Sequence, residues 1–467
     1  MCTWLLESPT SLFLILTTVV DLSFSLPREG VAVPKLGDLK LQHLHLLFRH
    51  GDRSPIVNAF NTSIPFEKLW PSGYGQLTKT GIVQEFQLGR WLRQKYGTFI
   101  PLSYNASEFH MRSTDVDRTL MSAQAVLAGV YENVTSPLKP YGVSWTPIPV
   151  HTVKQTNDVL LSVADCPRLN LLRNLQMQSE AARDYESKHQ RLFDLLSQVS
   201  GRKIDRTNLW ELHDMAVCMK ANKMSLPEWC TKEVLDEMTE VESFYWTMKY
   251  AGTPEILRLE FGVFINALVT HINAIINCAV SPMFNRTTPL SVQHVLAYSA
   301  HDIQVSYLLS ALGVFDGNLI NYGSAVIIEL FGPDPPAFPS DYYMRVLYKR
   351  GWTDTKGEYL PMPMCASELT EPGCRVDRVL QYLDPLAMGP DSFLRECTFS
   401  TQRSAGPSGI ALHSVFTPYH SPVSVMCVVT LVLVGVCVVV AVAVYFTCRF
   451  CGSGRDVPYA LLQTADP

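Results

Sequence analysis

The chain has 467 residues, of which 47% are hydrophobic and 17% charged, and its net charge is −5. That length suits one large domain or two, with a sizeable buried core. It carries no basic run and no alternation of aromatic and basic residues, so its composition speaks against a nucleic-acid partner.

Residues 12–20 form an apolar run too short to span a bilayer. Ser23-Phe24-Ser25 follows as a small-x-small site, so residues 1–25 read as a signal peptide cleaved after Ser25. The alternative is a buried core helix, because the stretch before the run has Glu7 and neither Lys nor Arg. Residues 39–48 then read as a buried strand. This strand delivers Arg49-His50-Gly51-Asp52-Arg53-Ser54-Pro55. Two guanidiniums after a strand make a planar clamp for a phosphate dianion. Cationic neighbours disfavour protonation of the imidazole between them, and a neutral imidazole beside a phosphoryl group is a nucleophile. Gly51 allows backbone to approach a ligand closely.

A helical period runs through residues 80–95, and 108–111 is a short strand leading to Arg112-Ser113-Thr114-Asp115-Val116-Asp117-Arg118. Ser113 to Asp115 read as an N-cap for a helix over 115–130, and Arg112 as a second-segment phosphate ligand. Residues 166–250 lose strand character and read as an inserted helical cap. A helix over 254–277 and a strand over 292–299 follow, the strand ending in Ala300-His301-Asp302. Further strands are expected at 325–330 and 342–348. This alternation predicts an α/β fold, a mostly parallel sheet flanked by helices.

The three strand-end segments make one chemistry. Arg49, Arg53, Arg112 and His301 surround the equatorial oxygens of a phosphoryl group, His50 attacks, and Asp302 protonates the leaving oxygen and then activates water. No metal-ligand spacing appears and no cofactor is expected; the arginines stand in for a metal clamp.

Residues 398–422 are rich in Ser, Thr, Pro and Gly and read as a stalk. Residues 423–446 carry no charge and are long enough to span a membrane; Arg449 and Arg455 place the tail 447–467 in the cytosol. Asn61, Asn105, Asn133 and Asn285 are glycosylation sequons, all before the span. Tyr459-Ala460-Leu461-Leu462 has the Tyr-x-x-apolar form that clathrin-adaptor-type sorting machinery reads from an extended peptide through Tyr459 and Leu462. Together these features predict a lumenal domain over 26–397, anchored by one span in lysosomal or endosomal membranes after transit through the cell surface.

The stretches LLFRHGDRSP (46–55), LWPSGYGQLTKTG (69–81), MRSTDVDRTLMSAQAVLAG (111–129), WTPIPVHTV (145–153), DCPR (165–168) and YSAHD (298–302) resemble the histidine acid phosphatases of lysosomal and prostatic type. The resemblance covers residues 39–397. It implies a phosphoglycerate mutase-like α/β domain with a smaller helical domain over the site, acid phosphomonoester hydrolysis through a phosphohistidine, and a homodimer. It carries catalytic roles onto Arg49, His50, Arg53, Arg112, His301 and Asp302. It also implies a Cys166–Cys397 disulfide and a widened version of a close pair in Cys365–Cys374. Two departures stand out. Ile303 replaces a Thr, removing a hydroxyl beside the acid. Ala325 stands where the family bridge partner of Cys218 would be, so a local Cys218–Cys230 pair is the substitute expected; Cys278 has no counterpart. The competing readings are a silenced receptor or sorting protein on the same fold, and a phosphomutase. The intact six-residue set opposes the first; the leader and the His-Asp acid oppose the second.

Overall fold

A computed structural model describes residues 36–60, 65–161, 166–280, 293–334, 338–368 and 373–398. The expected signal peptide, stalk, membrane span and sorting motif lie outside the described residues, as do Asn61, Asn285 and the side chain of Cys278.

In chain order the main elements begin with β1 (Lys40–Arg49), α1 (Phe66–Leu69), α2 (Lys79–Tyr96), β2 (Phe109–Ser113) and α3 (Asp117–Val130). Five helices follow: α4 (Pro167–Met177), α5 (Glu180–Lys188), α6 (Gln190–Ser200), α7 (Leu209–Ala221) and α8 (Lys232–Ala251). The chain then forms α9 (Pro254–Val280), β3 (Val295–Ala300), α10 (Asp302–Ala311), β4 (Ala325–Gly332) and β5 (Tyr343–Lys349). It closes with β6 (Glu358–Tyr359), β7 (Cys374–Arg375), α11 (Val376–Leu383) and α12 (Pro390–Thr398).

The strands lie in the order β2-β3-β1-β4-β5-β6, with β7 also on β5. The expectation of a mostly parallel sheet is corrected here. Only β1–β3 and β2–β3 run parallel; β1–β4, β4–β5, β5–β6 and β5–β7 are antiparallel. Both faces are covered, so β4 and β5 read as apolar runs whichever way they point. The link between them is too short for a crossover helix, which leaves the antiparallel pairing.

Alternation along β1 divides the core. Leu44, Leu46 and Phe48 pack with α2 and α3, while Leu47 packs on the opposite face with α9 and α10. Leu296 and Tyr298 on β3, and Val326 and Ile328 on β4, join Leu47 on that second face. The stretch Pro254–Asn277 of α9 is long and apolar enough to cross a membrane, but it is mostly buried within the fold. Phe261, Phe264 and Leu268 place it in the core.

A separate core joins α5 to α8, where Leu196, Leu212, Met215 and Val241 pack with Phe60, Phe66 and Trp70 from the β1–α2 connection. The helical cap is thus clasped by the segment that leaves the first site loop. The structure joins Cys166 to Cys397 and Cys365 to Cys374. The expected Cys218–Cys230 pair is not formed; both thiols are free and buried. Cys218 faces the sheet end of the cap, with Sγ 3.6 Å from Arg53 Nη1 and 3.5 Å from the Tyr322 hydroxyl. Asn105 and Asn133 are exposed.

Candidate active site

The parallel strands β1, β2 and β3 end together, and a crevice opens at their carboxyl edge, as in other open α/β sheets. Backbone pairing sets the depth of each loop. His50 N donates to Ala300 O at 3.0 Å, and Thr114 N donates to Ser299 O at 3.1 Å. The turn after His50 is pressed against the first turn of α2. A Cβ on Gly51 would sit 2.4 Å from Gly81 O, and one on Gly81 would sit 2.1 Å from Asp52 O. Gly51 therefore serves a backbone-to-backbone approach within the protein. Asp52 ties the same loop to α2 and the cap through Thr78 Oγ1 at 2.5 Å and Asn222 Nδ2 at 2.7 Å.

A cavity of about 660 Å³ lies above this edge, lined by Arg49, His50, Arg53, Arg118, His301 and Asp302, with α7 and α8 as its roof. The structure brings five of the six residues singled out from sequence into this cavity. Arg112 is not among them. It lies on β2 and pairs with the buried Asp158 at 2.5 Å. Arg118, in the first turn of α3, takes the place beside the histidines. Its Nε lies 3.1 Å from His50 Nε2 and its Nη2 3.3 Å from His301 Nδ1. The spacing could have flagged Arg118: one turn into a helix entered from a strand end, a long side chain returns to the crevice. The N-cap of α3 is Val116, without a side-chain cap, so the capping role expected of Ser113 to Asp115 is not realised.

His50 is almost fully buried, with 2% of its surface exposed. Its Nδ1 lies 2.8 Å from its neighbour's carbonyl, Gly51 O. That contact makes Nδ1 the protonated nitrogen and leaves the Nε2 lone pair facing Arg118. Burial holds the imidazole well below its ordinary value, and Arg118 and Arg49 push it further down. The cations noticed in sequence are thus the second cause; desolvation is the first. His301 is pushed down to about 3 for the same reasons, burial and then Arg118. It holds Thr114 Oγ1 at 3.0 Å and caps α10.

Asp302 opens α10 and pairs with Arg49 Nη2 at 2.8 Å. Burial would raise its carboxyl, but Arg49, Arg53 and His301 outweigh that and leave it below the usual carboxylate value. Ile303 takes over no hydroxyl function; its backbone N–H donates to Asp302 Oδ1 at 2.9 Å. Its side chain packs against the core. Arg49 also donates to Ile320 O and lies 4.1 Å over the Tyr322 ring. Arg53 is gripped by both oxygens of Asp214, at 2.8 and 3.0 Å. Asp214 sits on α7 and gives no sequence signal, because its partner is 161 residues away. Three guanidiniums and two neutral imidazoles thus gather around Asp302 at the sheet edge of the cavity, which suits a phosphoryl group. Among the described residues, no group of three or more His, Cys, Asp or Glu is placed to hold a metal ion.

The chain is similar to known proteins over most of its length. The profile of the Histidine phosphatase superfamily (branch 2) matches residues 40–349. The chain is 34% identical to lysosomal acid phosphatase of Xenopus laevis over 320 residues, covering 67% of this chain and 71% of that one. It is 32% identical to prostatic acid phosphatase of Rattus norvegicus over 379 residues, covering 78% and 91%. Among solved structures, the Hafnia alvei phytase apo form matches with a TM-score of 0.54 at 14% identity, covering 78% of this chain and 99% of that one, which speaks to the fold alone. The resemblance carried by the sequence motifs is borne out: the chain belongs to the histidine phosphatase superfamily, branch 2.

Proposed function

We propose that the protein is an acid phosphatase that hydrolyses phosphate monoesters through a phosphohistidine. The observation that carries this reading is the gathering of Arg49, Arg53 and Arg118 in one cavity around His50, whose unprotonated Nε2 accepts from Arg118. Arg118 takes the clamp role first expected of Arg112.

The phosphate dianion draws the three guanidiniums onto its equatorial oxygens and replaces the Arg118–His50 contact. Nε2 then forms the new N–P bond as the ester P–O bond breaks. The leaving oxygen takes its proton from Asp302, and the resulting carboxylate next removes a proton from the water that splits the N–P bond. Free Asp302 is ionised down to acidic pH because its cationic neighbours outweigh burial. Bound phosphate answers those cations with its own charge, which leaves burial to raise the carboxyl. Proton donation is therefore lost as pH rises. His50, held well below its ordinary value, stays neutral in acid. The two shifts together favour work on the acid side of neutrality. The guanidiniums supply the charge neutralisation, so turnover should persist in EDTA.

The finer localisation is part of the same proposal. Relatives are named lysosomal acid phosphatases. The apolar stretch 423–446 would anchor the domain to the lysosomal membrane, with Tyr459 and Leu462 read by sorting adaptors. A homodimer belongs to this reading as well.

Acid-quenched turnover of a phosphate-labelled substrate tests the chemistry. Label should remain on the protein, and His50→Ala should carry none. Labelling of the His50→Ala protein at the parent level would overturn the assignment.

A further inference from the structure

The cavity has two halves of different character. The sheet edge supplies the cations. The roof supplies aromatic rings and carboxyls from one stripe of α8, Thr239, Glu242, Ser243, Trp246 and Tyr250, spaced at helical period, and from Trp210 and Asp214 of α7. Every other acid that lines the space is already engaged. Asp302 pairs with Arg49, Asp214 with Arg53, and Asp236 with Lys232. Glu242 lines the cavity with no hydrogen bond or ion pair to any described residue. The Glu242 carboxyl is half-buried at the wall of the space and has no protein partner there, so it is available to a group bound in the space.

We propose that Glu242 is the specificity-determining residue of the leaving-group half, where its carboxyl hydrogen-bonds an uncharged polar group carried by a flat leaving group lodged against Trp210 and Trp246. The inference rests on the phosphatase reading above and narrows its substrate class. The cations that hold the phosphate come from the sheet edge and the first turn of α3, so a leaving group that reaches toward α8 meets rings and carboxyls. Burial, helped by Asp214 and Asp302 and opposed by Lys249, pushes the Glu242 carboxyl up to about 8. His213 and Asp214 face the same space from α7, Asp302 from α10, and Lys220 lies at its exposed rim. Below that value Glu242 is a neutral acid, one O–H donor and one carbonyl acceptor, the complement of a carboxamide. Above it the carboxylate repels any anionic leaving group.

The experiment compares 4-carbamoylphenyl phosphate with 4-carboxyphenyl phosphate, which share a shape and differ in charge. The ratio of their kcat/KM values should rise about tenfold from pH 5 to pH 8.5 in the parent as Glu242 ionises. Glu242→Gln, neutral at every pH, should keep the pH 5 ratio and lose the rise. Glu242→Leu should cost the carbamoyl compound roughly tenfold in kcat/KM relative to phenyl phosphate at pH 5. Each variant is first checked for a parent-like melting temperature; if Glu242→Leu does not fold, the Glu242→Gln profile decides. An unchanged rise in Glu242→Gln, or an unchanged carbamoyl preference in Glu242→Leu, overturns the inference. That failure stays distinct from failure of the phosphatase reading, which would show as parent-level turnover by His50→Ala.

Discussion

Strand β1 carries two sets of buried histidines, and they have different fates. His43 and His45 lie within the strand, 1% and 2% exposed; His50 lies just past its end, 2% exposed. All three are held below the ordinary imidazole value, with burial as the first cause. Burial alone therefore does not make a nucleophile. His43 and His45 are 3.3 Å apart and hydrogen-bonded to each other. They meet His271 with ring centroids 4.7 and 6.1 Å away, and His45 stacks on Tyr298 at 5.2 Å. They are closed in by rings. His50 has its spare nitrogen turned to a guanidinium at the wall of an open space. The position at the strand's end makes the difference, because there backbone pairing stops and side chains converge from three loops.

The comparison is broken most severely by exchanging one residue at each place. His50→Asn should lower kcat by at least about a thousandfold while the melting temperature moves little, since it removes the nitrogen proposed to attack and leaves the fold. His45→Asn should do the reverse. It loses the His43 hydrogen bond and packs poorly against Phe264, at a cost of about 1–3 kcal/mol, with kcat near the parent value. Equal effects on kcat from the two would remove the distinction.

The arginines sharpen the same point at a smaller scale. Arg118→Ala should cost roughly a hundredfold to a thousandfold in kcat/KM, the range for losing one preorganised charge donor. Arg112→Ala should instead destabilise, because it leaves the buried Asp158 carboxylate without its partner. Steady-state kinetics and thermal melts on both variants check this. A larger kinetic loss from Arg112→Ala would return that residue to the site.

The expected effect that touches turnover least is a slope of stability against pH. Unfolded histidines titrate near 6.5, whereas folded His45 does so near 3. The unfolded chain therefore binds the extra proton first as pH falls. This contribution to stability is complete above about pH 6.5 and is lost progressively toward pH 3, by up to about 1.4 kcal/mol per pH unit for each such group. His45→Phe should flatten the decline of melting temperature between pH 6.5 and pH 4. A parallel decline in the two proteins would show that His45 does not contribute to it.

Much of this was legible in the residues themselves. Apolar runs ending in Arg-His-Gly or His-Asp mark strands that empty into a crevice, because several polar groups in a row at the end of a buried strand need partners or solvent there. Period and composition likewise marked the helical character of residues 166–250 and the core helix at 254–277. Family membership followed from Arg49-His50-Gly51-Asp52-Arg53 and its companions. Direction, partner and reach were not legible. The antiparallel run of β4 and β5 depends on which neighbours hydrogen-bond, and a strand covered on both faces carries no mark of that. Cys218 and Cys230 are 12 positions apart, yet α7 turns Cys218 toward Arg53 and Tyr322. From sequence the clamp role goes to Arg112 alone, because it sits at the strand's end. Only the packed chain decides between Arg112 and Arg118: Asp158 meets Arg112 from a distant loop, and the first turn of α3 carries Arg118 over His50. Local pattern is set by side-chain chemistry repeated along the chain. A pairing between distant residues is set by the three-dimensional path, which no short stretch contains.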